Sequence, residues 1–132
     1  MRSKVYLDTN ILLRLVVQDN DDQYQSVLDL LDRASQGQIL LFVSNVVLSE
    51  SEWVLRSVYK ISSSDIRNIV RHLLDLSELE FQDRAVWYQA LEYGEENALG
   101  WEDNYHLAYA LINNYELATF DKNLKKRYNK SI

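Results

Sequence analysis

The sequence predicts an α/β fold: a three-layer α/β/α sandwich around a central, mostly parallel sheet. Three observations predict it. Short β-rich apolar runs alternate along the chain with longer segments of helical period. The turns between them are short, so neighbouring elements pack together. The run at 39–43 is apolar throughout, the pattern of a strand covered on both faces.

The elements follow in order. Residues 4–7 form a strand that ends at Asp8. The apolar stretch 11–17 is too continuous for a surface helix and predicts a buried one, entered through Asp8-Thr9-Asn10. A second helix starts in the Asn20-Asp21-Asp22 cluster, with Val27, Leu28, Leu30, Leu31 and Ala34 inward and Gly37 as its stop. After the strand at 39–43, Ser44 offers an N-cap to a helix running to about Tyr59. Ser62 and Asp65 have capping-box spacing, with Ile61 and Ile66 at staple positions, ahead of a helix whose face is Ile66, Ile69, Val70, Leu73 and Leu74. A short strand at 79–81, a helix over 83–93 and a helix over 102–113 after Gly100 come next. The segment 117–120 reads as a last strand ending at Asp121, before a short basic helix.

Composition narrows the chemistry. The chain has 132 residues, one domain's worth, so the whole of 1–132 is expected to be a single domain. There is no cysteine, which removes thiolate nucleophiles, disulfides and zinc-ribbon sites, and only His72 and His106 could act as imidazole ligands. Gly37, Gly94 and Gly100 stand too far apart for a phosphate-cradling loop. No apolar run approaches the ~18 residues of a membrane span, and no leader pattern follows Met1, which predicts a soluble, cytoplasmic protein. The formal net charge is −6, yet residues 122–132 contain five bases and no acid, leaving nine bases and all twenty acids before them.

Four carboxylates stand out. Asp8 and Asp121 follow predicted strands, at the edge where parallel sheets bind ligands, although an Asp in either place also serves as a helix cap. On the helix over 44–59, at ~100° per residue, Glu50 projects between Val46 and Val54 inside a broad apolar arc, whereas Glu52 falls on the other side beside Arg56 as a solvated i,i+4 pair. Glu50 is therefore expected to point inward. Asp103 likewise projects between Leu107 and Ala110 on an apolar stripe, with Glu102 on a more polar side. A helix acid in the first turn is also favoured by the macrodipole, which explains the charge of Asp103 but not its position. Converging carboxylates repel, so either some are protonated or a cation lies among them. Oxygen-only ligands select Mg²⁺ or Mn²⁺ over zinc. With a basic tail suited to phosphate, the set points to metal-assisted phosphodiester hydrolysis.

In these blocks the chain resembles the PIN-domain ribonucleases, in particular the VapC-type toxins of toxin–antitoxin pairs. Asp8-Thr-Asn-Ile-Leu-Leu-Arg14 is similar to the family's first block. Val47-Leu-Ser-Glu50-Ser-Glu-Trp53-Val-Leu55 is similar to the second, with Glu50 rather than Glu52 in register. Trp101-Glu-Asp103-Asn-Tyr-His106 and Thr119-Phe-Asp121-Lys122 resemble the third and fourth. Each block alone is weak, but four in order over one short chain are not. The resemblance implies Mg²⁺ or Mn²⁺ held by Asp8, Glu50, Asp103 and Asp121 as catalytic ligands, with Asn10 and Thr119 orienting carboxylates or water. It implies single-stranded or loop RNA as substrate, a homodimer, and an antitoxin protein whose tail inhibits the site; the absence of a long apolar run adds that no membrane is expected. Glu102 departs from the small residue usual before the third acid and is expected to face solvent.

Other residues carry weaker signals. His106 suits packing better than general acid catalysis. Trp53, Trp87 and Trp101 suit a core or dimer interface better than base stacking. Lys122, Lys125 and Lys126 are either a solvated helix end or RNA phosphate contacts. A haloacid dehalogenase-type enzyme needs a second Asp where Asn10 stands, and a receiver domain needs an acid and lysine set that this spacing does not supply. The remaining rival is a non-catalytic PIN-fold module that binds RNA or protein.

Overall fold

Three strands, β1 (Ser3–Tyr6), β2 (Ile39–Val43) and β3 (Leu79–Phe81), form a parallel sheet in the order β1-β2-β3. The structure is a computed structural model and describes residues 2–132. The chain divides into two units, one ending at Gln82 and the other spanning Asp83–Ile132. All three strands belong to the first.

Parallel pairing demands a crossover between strands, and helix pairs supply each one. The helices α1 (Thr9–Val16) and α2 (Asp21–Ser35) join β1 to β2, and α3 (Asn45–Ser57) and α4 (Ser63–Leu74) join β2 to β3. Register runs from Ser3 opposite Ile39 to Tyr6 opposite Phe42, and the Leu7 amide still donates to the Phe42 carbonyl at 3.0 Å. Pairing thus persists to the residue before Asp8. On the central strand Ile39, Leu41 and Val43 are buried, and Leu40 and Phe42 half-buried. Around it Leu12, Leu48, Leu55, Ile66, Leu74 and Leu79 are almost wholly excluded from solvent and form the core of this unit.

Local chemistry sets the helix ends. Asn20, Ser44 and Ser62 cap α2, α3 and α4 by accepting from the amides of Gln23, Val47 and Asp65 at 3.0–3.2 Å. The α2 helix stops at Gly37, whose φ of +75° lets its amide reach Ala34 O and the Gln38 amide reach Arg33 O. The stretch 11–17 is half-buried, with only Leu12 and Leu13 fully inside, because one side of α1 borders an open cleft described below.

The second unit contains α5 (Arg84–Glu96), α6 (Trp101–Ile112) and α7 (Lys122–Ser131). Trp87 lies between Trp101 and Tyr105, with ring centroids 4.9 and 4.6 Å away, and Leu91, Leu107, Ala108 and Leu124 complete its core. Asn104 is buried but satisfied: it accepts from Asn97 Nδ2 at 2.9 Å and donates to Leu99 O. Trp87 is thus a core residue and Trp101 is half-buried against it, while Trp53 on α3 is more than half exposed. The strand expected at 117–120 is not formed. Those residues are irregular and Phe120 is fully exposed. An apolar run of four becomes a strand only when a neighbour pairs its backbone, and the described residues of this unit are otherwise helices and turns.

Candidate active site

Asp8 is placed by the end of β1. Its backbone leaves the sheet one residue after Leu7, and its Oδ1 accepts from the Ile11 amide at 3.1 Å to cap α1. The cap reading of Asp8 is therefore correct, but it uses one oxygen. Oδ2 has no hydrogen bond among the described residues.

Glu50 arrives from the neighbouring strand. Where β2 ends, Ser44 caps α3 and also shares a 2.8 Å hydrogen bond with the Tyr6 hydroxyl at the end of β1. That contact ties the start of α3 to the strand that delivers Asp8. Glu50 lies in the second turn of α3, and its Oε2 accepts from Thr9 Oγ1 at 3.1 Å. Asp8, Thr9, Asn10 and Glu50 line one open cleft of about 420 Å³ with Arg14, Val54 and Tyr59 among its walls.

Burial on α3 reverses the expectation from sequence. Glu52 is 4% exposed, while Glu50 is an exposed residue. The apolar arc is wider than the helix buries: Val47, Leu48, Ser51 and Leu55 face the core, and Val46 is 63% exposed. Glu50 does lie between Val46 and Val54, but that flank borders the cleft rather than the interior. Glu52 sits at the margin of the buried face and is paired through Oε2 with Arg56 Nε at 2.8 Å, so its burial is compensated.

Arg14, an unassigned cation in an apolar run, is the cleft's own positive charge. Its Nη1 donates to Asp19 Oδ1 at 2.8 Å and its Nε to Gln23 Oε1 at 2.6 Å, and the Tyr59 hydroxyl donates to the other oxygen of Asp19. Thr9, which fixes Glu50, was likewise not singled out by sequence, although a hydroxyl beside a strand-end Asp is the available signal. Asn10 lines the cleft as an exposed residue.

Asp103 and Asp121 belong to the second unit. Asp103 is half-exposed on the first turn of α6, beside the buried Asn104 and Leu107, and Glu102 faces solvent as expected. Asp121 caps α7 by accepting from the Leu124 amide at 2.9 Å, and its own amide donates to Thr119 Oγ1 at 3.0 Å. Thr119 thus holds the backbone of Asp121. His106 is exposed, with its ring edge-on to Tyr105 at 6.1 Å. Among the described residues no three acidic or histidine side chains are grouped so as to hold a metal ion. The arrangement present is a pair of carboxylates, each with an oxygen free of hydrogen bonds among the described residues, one just beyond the carboxyl end of β1 and the other in the second turn of the helix that follows β2.

A family model for the PIN domain matches residues 5–130, nearly the entire chain and both of its units. The chain belongs to the PIN domain family. Comparison with curated proteins gave no significant match. PIN domains are commonly metal-dependent nucleases, which agrees with carboxylates at a strand edge and with the α/β architecture of helices around a parallel sheet. Among the described residues no helix is long and apolar enough to cross a membrane.

Proposed function

We propose that this PIN domain is a Mg²⁺- or Mn²⁺-dependent endoribonuclease that hydrolyses RNA phosphodiester bonds. The observation that carries the reading is the Asp8–Glu50 pair in one open cleft, on a chain whose family is typically nucleolytic. Mg²⁺ is commonly bound through only one or two carboxylates, with waters and substrate phosphates filling its remaining positions, so this donor set fits it. Asp8 and Glu50 would hold the ion, and the four-block resemblance adds Asp103 and Asp121 as further ligands. Such an ion supplies acidification of a water and positive charge against the leaving oxygen of a phosphodiester.

The chain's own groups do the rest. Thr9 fixes the Glu50 carboxylate, and Asn10 offers an amide to water or phosphate in the cleft. Asp19 and Gln23 hold the Arg14 guanidinium against the wall, where it neither collapses onto Asp8 or Glu50 nor leaves the cleft. No serine, cysteine or histidine nucleophile is required. Expectations of finer grain rest on the resemblance to VapC-type toxins: a toxin of a two-gene module acting in the cytoplasm, an antitoxin protein as inhibitor, and a homodimer.

The test compares wild type with Asp8→Asn on a pool of structured RNAs in Mn²⁺, in Mg²⁺ and in EDTA. Discrete cleavage that disappears with chelator and in the variant is expected. Equal cleavage by both proteins would place the activity outside this site. No cleavage, together with no heat of Mn²⁺ binding in calorimetry, would overturn the nuclease and leave a binding module.

A further inference from the structure

The α7 helix is sided by charge. Around its axis Leu124, Arg127 and Tyr128 occupy one face. Leu124 is buried, Arg127 pairs with Glu96 at 2.8 Å over the Tyr93 ring, and the Tyr128 hydroxyl donates to Tyr115 O. The opposite face carries Lys122, Lys125, Lys126, Asn129 and Lys130 around a shallow open depression. At ~100° per residue these five fall within a continuous arc of about 140°. All four lysines are exposed and, among the described residues, none is in an ion pair. Packing on the other face fixes the stripe's orientation on its own unit without consuming its charge.

This concentration runs against the rest of the chain, which holds every one of the twenty acids before residue 122. A solvated helix of ordinary composition mixes signs, because i,i+4 pairs of opposite charge stabilise it. Here lysines neighbour lysines and repel, a cost that a polyanion removes. In the same unit Tyr109 and Tyr115, 37% and 59% exposed, stack at 5.9 Å with an interplanar angle of 11°, and Tyr115 is bonded to α7 through Tyr128. Basic side chains combined with exposed aromatic rings in one unit are how proteins take single strands, whose unpaired bases can stack where those of a duplex cannot.

We propose that the Lys122, Lys125, Lys126 and Lys130 face of α7 is a phosphate track for single-stranded RNA. It rests on the reading of the chain as an RNA-acting protein and deepens it by naming the side chains that hold the substrate's phosphates. The track binds by charge, so it is independent of metal and of base sequence.

The experiment measures fluorescence anisotropy of a labelled oligouridylate with Asp8→Asn protein in EDTA, so binding is read without cleavage. Each single-strand phosphate contact contributes a slope of about −0.7 to log K against log salt. Four contacts give about −2.8, or roughly 50-fold weaker binding from about 50 to 200 mM salt. Replacing all four lysines by Gln, which keeps exposed helix positions favourable, is expected to flatten the slope by about that amount with the circular dichroism unchanged. Lys125→Gln with Lys126→Gln is expected to flatten it by half. Lys4→Gln with Arg33→Gln, the same charge change in the other unit, is expected to leave it alone. An unchanged slope in the four-lysine variant overturns the track even if wild type cleaves RNA. Tighter binding of a duplex than of the single strand overturns the substrate form. Loss of binding to polyglutamate alone assigns the face to an acidic protein instead.

Discussion

Asp8 does two jobs with two oxygens, and substitutions can separate them. Asn caps a helix as well as Asp does, so Asp8→Asn is expected to keep the Ile11 hydrogen bond and shift stability by less than about 0.5 kcal/mol while abolishing cleavage. Asp8→Ala also loses the cap and is expected to cost about 1 kcal/mol more in urea unfolding. Thr9→Val keeps the shape of the side chain and deletes the donor to Glu50. By analogy with other groups that orient metal ligands, it is expected to weaken Mn²⁺ affinity roughly 10- to 100-fold in calorimetry. The two glutamates of α3 are expected to behave oppositely. Glu50→Gln abolishes cleavage at unchanged stability. Glu52→Gln retains cleavage and loses about 1 kcal/mol, a modest figure because Arg56 is half-exposed and water resolvates it. Sequence register distinguished Glu50 from Glu52 for a reason that the structure revises. Glu50 differs from Glu52 in sharing the cleft with Asp8, and it is exposed rather than buried. Helical projection ranks faces by polarity, and the apolar residues of α3 beside Glu50, Val54 among them, border a cleft as well as the core. Thr9 is the complementary case, since its partner Glu50 lies far away along the chain, and the partners of Arg14, though near in sequence, carry no motif.

At the scale of elements, the legible parts were those whose signals are local. The boundaries of β2 and β3, the caps at Asn20, Ser44 and Ser62 and the stop at Gly37 all follow from side chains within a few residues. Those positions give direct tests. Ser62→Ala is expected to lower stability by about 1 kcal/mol through loss of the Asp65 amide's acceptor. Gly37→Ala meets no atom within 4 Å, so steric crowding contributes nothing and the left-handed φ alone decides. An alanine there costs about 1–2 kcal/mol in the folded chain, partly offset by lower entropy of the unfolded chain, and the net expectation is a loss near 1 kcal/mol in thermal unfolding. The strand expected at 117–120 shows where local reading stops. Its residues have the right composition, but a strand is a relation between two segments, and composition does not say whether the second is present.

On the scale of the whole molecule, the family match and the four-block resemblance both run through the two units, whereas the carboxylate pair with shared neighbours belongs wholly to the first. Metal binding tests whether the acids of the second unit act with that pair. An ion that binds only the folded chain stabilises it by RT ln(1 + [L]/Kd), about 2.7 kcal/mol at a hundredfold excess over Kd, or roughly 10 °C for a chain of this size. Wild type is expected to show such a rise in melting temperature with Mn²⁺, reversed by EDTA, and Asp8→Asn to show none. Because the proposed ligand set includes Asp103, Asp103→Asn is expected to lose the shift as well while unfolding normally without metal. A full shift in Asp103→Asn would confine the ion to Asp8 and Glu50 and remove the third acid from the ligand set. A shift that survives Asp8→Asn would remove the cleft itself.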